Sequence, residues 1–319
     1  MRRWLGFFTL LLSMLSSSGL AGIRLDFEAA HREQLSLRGL VNTVQESGAE
    51  IHDGHEEARR RLCHIAFTPL GFVTEYLFYY TEATKAGTET IEREAFTYAY
   101  DGQKLLTRVD QLSTSTYGNQ RQNSVYAFRH DAAGRLTEVA VTTKDAASSI
   151  FDGQVWKTSY RYDTQGRLAE KLYWVESGGV RRPETMQLMR YTPQLDGMLI
   201  EEIGQDGRRK GKVTNRTWLD PQGRIRREFT MDDHDEIIGK CFYAYNDHGD
   251  LIKRARVSKS GQTTVTYRYA RYDAQGNWTE QTESWAQPGV ENGAAIPHRT
   301  AYRTLTYYHT PAIQAPPTK

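Results

Sequence analysis

The sequence predicts an all-β protein, an antiparallel meander of about eight hairpin repeats in one long, strongly twisted or curled sheet, a half-pipe or partial barrel. Three observations predict it. A nine-residue segment, clearest as Tyr160-Arg161-Tyr162-Asp163-Thr164-Gln165-Gly166-Arg167-Leu168, recurs along the chain. A second turn signal falls about midway between successive copies. No window sustains apolar residues at spacings of three and four, so helix content should be small.

The first element is not expected in the fold. Arg2 and Arg3 precede an apolar run from Trp4 to Leu15, and Ser16 to Ser18 lead into Gly19, Leu20 and Ala21. A basic start, a run too short to span a bilayer and small residues at its end read as a secretory signal peptide over residues 1–21. No Cys follows the run, so bacterial lipidation is not indicated. Residues 22–60 carry no clear copy and read as a polar, weakly structured leader with at most a short helix or edge strand.

Residues 61–308 form the repeat region. Its copies are Ile65-Ala66-Phe67-Thr68 with Gly71, Tyr98-Ala99-Tyr100-Asp101 with Lys104 and Leu106, and Phe128-Arg129-His130-Asp131 with Gly134 and Leu136. The Tyr160 segment comes next, then a degraded copy from Tyr191 to Leu199 with Gly197. Asp220 with Gly223 and Ile225, Tyr243-Ala244-Tyr245-Asn246 with Gly249 and Leu251, and Tyr272-Asp273 with Gly276 and Trp278 complete the series. Counting from the turn position, the markers fall at 71, 104, 134, 166, 197, 223, 249 and 276, spaced by 26 to 33 residues.

Each copy has a physical reading. Tyr160 and Tyr162, like Tyr243 and Tyr245, are two apart and share one strand face. Asp163 opens a turn by accepting from the amides just downstream, and Gly166 supplies the positive φ of a tight reversal. Leu168 returns to the apolar face. Midway signals such as Gly87, Asp152-Gly153, Asp232 to Asp235 and Ser260-Gly261 turn the chain back. Two turns per interval leave two strands, so eight copies give about sixteen strands in sequential order. Tyr302, Leu305 and Tyr307 suggest a closing strand from His298 to Tyr308. Pro311, Pro316 and Pro317 mark residues 309–319 as a disordered tail.

The pattern Tyr-x-Tyr-Asp-x-x-Gly-Arg-Leu resembles the YD or Rhs repeat of bacterial surface and secreted proteins, over roughly residues 60 to 285. Large members of that family look like spiralling β-strips that can enclose a toxin domain as a shell. This chain is much shorter, and no separate effector domain follows its last copy. The family is often described as binding carbohydrate, but its repeat carries no agreed catalytic or sugar-binding residues to transfer.

Composition narrows the function classes. The 319 residues hold 41 Lys and Arg against 39 Asp and Glu, a formal charge of +2, which disfavours electrostatic binding of nucleic acid. Tyr is abundant, with 19 against 11 Phe and 6 Trp, as suits half-buried pleated surfaces.

Several constellations invite a chemical reading. The turn acids Asp101, Asp131, Asp163, Asp220 and Asp273 could be a carboxylate array, but one turn-capping role covers them all. Four residues after the marker stand Glu75, Glu138, Glu170, Glu201 and Glu280, with Arg108, Arg227 and Lys253 in the other copies. By alternation this column should share a face with the marker-plus-two Leu. It could grip a polar polymer, and the plainer reading, a solvated and partly ion-paired stripe, is preferred. His52-Asp53-Gly54-His55-Glu56-Glu57 has metal-capable groups but reads better as an exposed loop. Asp232 to Glu236 lacks the Gly and distal Glu of a calcium loop. Cys63 and Cys241 each precede their marker by eight residues; a disulfide between them would require the sheet to curl almost shut, and two separate core-facing thiols are preferred.

The expectation is therefore a non-enzymatic binding or scaffold protein, periplasmic or secreted in a bacterium. It would take a glycan or peptidoglycan on a repeated aromatic face, with no cofactor, metal or nucleic acid. The alternative is an immunity- or adaptor-type protein docking one protein partner near Thr192 or the His52 to Glu57 loop. An enzyme with a site assembled across strands ranks lowest.

Overall fold

The computed structural model describes residues 37–52, 55–84, 87–115, 120–145, 154–178, 180–205, 210–259, 261–286 and 296–308. The expected signal peptide and tail, 1–21 and 309–319, lie outside these. The described residues form eighteen strands. They are β1 (Val41–His52), β2 (His55–Phe67), β3 (Val73–Thr84), β4 (Gly87–Tyr100), β5 (Leu106–Ser115), β6 (Gln120–His130), β7 (Leu136–Asp145), β8 (Gln154–Tyr162) and β9 (Leu168–Ser177). The second half comprises β10 (Val180–Gln194), β11 (Gly197–Gly204), β12 (Val213–Leu219), β13 (Ile225–Met231), β14 (Ile237–Tyr245), β15 (Leu251–Ser258), β16 (Gly261–Tyr272), β17 (Trp278–Ala286) and β18 (Ile296–Tyr307).

Each strand pairs antiparallel with its sequence neighbours, and β1 pairs with both β2 and β18. The meander is thus a closed barrel, not the half-pipe or open strip expected. The expected closing strand is present as β18, and one strand beyond those expected, β1, explains the difference. The sixteen expected strands are β2 to β17, and β1 and β18 fill the gap that would otherwise leave two unpaired edges. β1 lies in the stretch expected to be a weakly structured leader. Its register runs Val44 opposite Ile65 on one side and Leu305 on the other.

The marker positions lie at the even-to-odd connections, all at one end of the barrel. In the β8–β9 turn the Asp163 amide donates to the Arg167 carbonyl (2.8 Å) and the Gly166 amide to the Asp163 carbonyl (3.0 Å). Asp163 Oδ1 accepts the amides of Gln165 (2.9 Å) and Arg167 (2.8 Å). Asp101, Asp131, Asp220 and Asp273 open the same turn. Asn246 and Thr68 take its place in two others. Gly166, Gly249 and Gly276 have φ of 78°, 84° and 83°, and Lys104, at the position where glycine is usual, is forced to 68°. Asp232 builds the same turn at the opposite end, between β13 and β14, with Asp235 at φ 64°.

A register shift accompanies nearly every such turn. Tyr162 faces Leu168 whereas Arg161 faces Glu170, so an extra residue bulges out of β9. The same shift recurs between Ala66 and Phe67, Ala99 and Tyr100, Arg129 and His130, Trp218 and Leu219, and Ala244 and Tyr245. The tight β10–β11 hairpin at Gly197 has none.

The inward face carries the core. Along β2, Arg61, Cys63, Ile65 and Phe67 are buried and alternate with more exposed residues. One apolar cluster runs from Val41 and Val44 through Tyr76, Phe96 and Val109 to Phe128 and Val139, with Tyr160 packed against it. The outward face is charged, with ion pairs such as Arg129 with Glu138 and Arg271 with Glu280 standing between strands.

Candidate functional site

The repeat tyrosines and turn acids are structural. The Tyr162 hydroxyl donates to the Leu136 carbonyl (2.8 Å) and Tyr245 to Ile225 (2.9 Å), each tying one hairpin to the preceding one. Arg135, Arg167 and Arg224 donate to Asp131, Asp163 and Asp220, and each lays its guanidinium over the ring of the next copy, Tyr162, Tyr191 or Tyr245, at 4.8 to 4.9 Å. The Arg167 amide and guanidinium hold the Asp163 carboxyl below its usual range, and the amides of His234 and Glu236 do so for Asp232. Tyr160 and Tyr243 also point inward, where Tyr243 donates to Glu228 (2.5 Å). The last copy differs. Tyr269 makes the carbonyl bond, to Leu251, while Tyr272 stacks on His248 and bonds Asn246 and Asp250.

The glutamate column lies outside. Where a bulge follows the turn it reverses the parity, so Glu170 is on the opposite face from Leu168, contrary to the alternation argument, whereas in the bulge-free β10–β11 hairpin Glu201 shares its face with Leu199. Glu138, Glu170, Glu201 and Glu280 each pair with an arginine across the strand: Arg129, Arg161, Arg190 and Arg271. Glu201 is the most enclosed. Burial raises its pKa, but bonds from Arg190 (2.7 Å) and Arg216 (2.9 Å) outweigh this and lower it. Glu75 is exposed beside Ala66 and Thr97. The column is not gathered into a site, since successive members stand two strands, about 9.6 Å, apart.

Cys63 and Cys241 are free thiols, so the disulfide is not formed. Closure does shorten their separation to six strand spacings, β14 around to β2, but that is still about 29 Å of sheet. Burial pushes the Cys63 thiol up to about 12. His52 and His55 face each other across the β1–β2 hairpin, and Asp53 and Gly54 lie outside the described residues. Asp232, Asp233 and His234 bring their ligand atoms within 4.8 Å of one another in the β13–β14 turn, where Asp232 caps the His234 and Glu236 amides and His234 lies 3.0 Å from Asp233.

Two other groupings escaped the sequence reading. On the outward face of β12, β13 and β14, Trp218, Phe229 and Phe242 form an aromatic ladder with ring centroids 4.8 and 5.9 Å apart. Arg227 covers the Trp218 ring at 4.2 Å and Lys240 the Phe229 ring at 5.7 Å, while Phe242 is 39% exposed. Successive strand partners, Trp218 with Arg227 and Arg227 with Phe242, place these residues on one face. The ladder could have been found by asking which aromatics lie outside the Tyr-x-Tyr positions.

The second grouping is a buried charged seam where the barrel closes. Glu46 on β1 pairs with Arg303 (3.0 Å) and Arg299 (3.8 Å) of β18, and Arg299 reaches Glu283 of β17 (3.8 Å). Glu46, Glu283 and Arg299 are each 4% exposed, and Arg303 stacks on Trp278 at 3.5 Å. At the turn end of the same seam, Asn277 receives the Arg38 amide (2.7 Å) and donates to the Arg38 carbonyl (2.8 Å). Asn277 stands where three other copies have Arg135, Arg167 and Arg224, and here the position serves closure.

No protein-family model matches the chain, and no curated protein matches it. Among solved structures, a porin-like protein from Bacteroides uniformis is similar with a TM-score of 0.44 and 11% identity, over 84% of this chain and 99% of that one. The Tc holotoxin pore of Photorhabdus luminescens gives 0.28 and 11%, over 78% of this chain and 13% of that one. A DUF1329 family protein from Desulfovibrio piger gives 0.18 and 9%, over 86% and 89%. Likenesses of this size leave function to be argued from the chain's own residues.

Proposed function

We propose that this is a non-enzymatic, exported binding or scaffold protein of the bacterial envelope, related to the YD-repeat proteins, that holds a glycan on the outer face of β12 to β14. The ladder of Trp218, Phe229 and Phe242 is the observation that carries the reading. The repeated tyrosines cannot serve as first expected, because their rings pack inward and their hydroxyls bond neighbouring hairpins. The ladder instead presents the exposed Phe242 ring beside the half-buried Trp218 and Phe229 rings and the side chains of Arg216, Arg227 and Lys240, a pairing that suits the hydrophobic faces and hydroxyls of sugars. The polarity of the barrel supports a protein working in water. A lipid-embedded barrel needs an apolar outer band, whereas here charged pairs stand outside and the apolar cluster inside.

Retention on immobilised peptidoglycan and a panel of oligosaccharides tests this. Trp218→Ala and Phe242→Ala should each weaken retention about tenfold, as expected for losing about 1.4 kcal/mol of contact, with the unfolding midpoint nearly unchanged. Retention that survives both substitutions would refute the ladder as the site. Specific co-purification of one protein partner, lost in the same variants, would favour the adaptor reading instead.

A further inference from the structure

We propose that the glycan held on the outer face is an acidic one, a uronate polymer whose carboxylates meet Arg227, Lys240 and Lys253. The inference rests on the aromatic ladder being the glycan site and adds the class of sugar. The chain as a whole is nearly neutral, at +2. That balance is broken over β12 to β15, where the sole acid is Glu228 against seven Lys and Arg. Glu228 faces the lumen and accepts from Tyr243, so the outward side of these four strands carries no carboxylate. Of the cations, Arg254 and Arg256 turn inward opposite Tyr243 and Cys241. Asp196 holds Arg226, and Glu201, shared with Arg190, holds Arg216. Arg227, Lys240 and Lys253 are left, and none of the three has a carboxylate partner among the described residues.

Strand register gathers these three around one ring. Phe242 faces Arg227 on β13 and Ala255 on β15. Lys240 lies two residues before Phe242 on the same face, and Lys253, opposite Ala244, is its diagonal neighbour on the other side. Diagonal neighbours stand about 7 to 8 Å apart, within reach of long side chains. Phe242 is 39% exposed, and Ala244 and Ala255 keep the floor beside it low. A uronate has an apolar C–H face and a carboxylate at its rim, so the face suits the ring and the rim charge suits the cations around it. Acids return at the strand ends, with Asp220, Asp247 and Asp250 at the marker turns and Asp232 to Glu236 at the opposite turn, which confines an anionic polymer to the middle of the face. A single-stranded nucleic acid fits less well. Arg227 and Lys240 already cover the Trp218 and Phe229 rings, leaving no row of free ring faces for successive bases.

The test is binding of oligogalacturonates to the full chain, against the same oligomers as neutral methyl esters, at about 0.05 M and about 0.5 M NaCl. At the lower salt the acid should bind about tenfold tighter than the ester, from three exposed contacts worth about twofold each, and the difference should vanish at the higher salt. Lys253→Gln, which removes a cation that covers no ring, should halve the difference and leave ester binding unchanged, and Lys253→Arg should restore it. Equal binding of acid and ester by the wild type would overturn the acidic reading while leaving the ladder as a site for neutral sugar. Acid binding that Phe242→Ala leaves intact would instead overturn the ladder on which the inference rests. A single-stranded oligonucleotide of equal charge bound as tightly as the acid would overturn the uronate assignment, by marking a surface for any polyanion.

Discussion

Glu46 is the most direct place to ask whether the seam holds the barrel shut. Its carboxylate joins residues 257 positions apart, through Oε2 to Arg303 Nε at 3.0 Å, and also approaches Arg299 at 3.8 Å. All three side chains are at least nine-tenths enclosed. Glu46→Gln keeps the shape and removes the charge, leaving both guanidiniums without their shared counter-ion. Breaking a buried pair from one side costs about 3 to 5 kcal/mol. Arg303→Met keeps the contact with Trp278 and removes the opposite partner. Urea unfolding of the wild type, the two single variants and the double variant then forms a cycle. A coupling energy of about 1.5 to 3 kcal/mol is expected for residues sharing one buried network. A value below about 0.5 kcal/mol would refute closure through this pair, because that is what solvent-exposed or separated charges give.

Further outcomes follow from the strand pairing, the turns and the buried acids. Thr43 and Thr306 have hydroxyls 2.7 Å apart on β1 and β18, so Thr43→Cys with Thr306→Cys should form an intramolecular disulfide, detectable by non-reducing peptide mapping; an open strip would give none. Lys104→Gly should raise the unfolding midpoint by relieving φ of 68°, worth about 0.5 to 1 kcal/mol, whereas Gly197→Ala should unfold the β10–β11 hairpin region, since its Cβ would fall 1.9 Å from the Leu219 carbonyl oxygen. Asp131, Asp163, Asp220 and Asp232 titrate below their ordinary value when folded, so their contribution is present above the unfolded pKa and is lost as pH falls through the folded one. The urea midpoint should therefore be level at neutral pH and drop below about pH 4. Glu94, raised by burial, has the opposite sign, so Glu94→Gln should stabilise the protein at neutral pH and lose that advantage in acid.

The turns were legible in the sequence because their chemistry is local. Asp163 and Gly166 read as a capped reversal from nine consecutive residues, and even Lys104 could be placed by alignment with its fellows. The face of Glu170 was not legible, because a bulge inserted at Ala169 reverses a parity that alternation assumes. Closure was hidden for a different reason. Glu46 looks like a surface residue in a polar stretch, and only Arg299 and Arg303, more than 200 positions away, reveal it as interior. Asn277, which stands where the Tyr160 copy has Arg167, receives Arg38, a partner 239 positions away that no local pattern announces. The Trp218 ladder was not legible because Trp218, Phe229 and Phe242 lie outside the Tyr-x-Tyr positions and are brought to one face only by the register of β12, β13 and β14.

The seam also bears on the order in which the molecule assembles. Seventeen of the eighteen strand pairings join sequence neighbours and need only short stretches of chain to meet, so they can form early and in any order. The last, between β1 and β18, must bring together Val41 and Tyr307 and bears nearly the whole entropic cost of a long loop. Until it forms, the chain is a ribbon with two bare margins, each able to recruit the margin of another molecule. A nascent chain whose final strand is late or missing is thus expected to concatenate with its siblings, and the charged clasp at Glu46 favours the intramolecular partner.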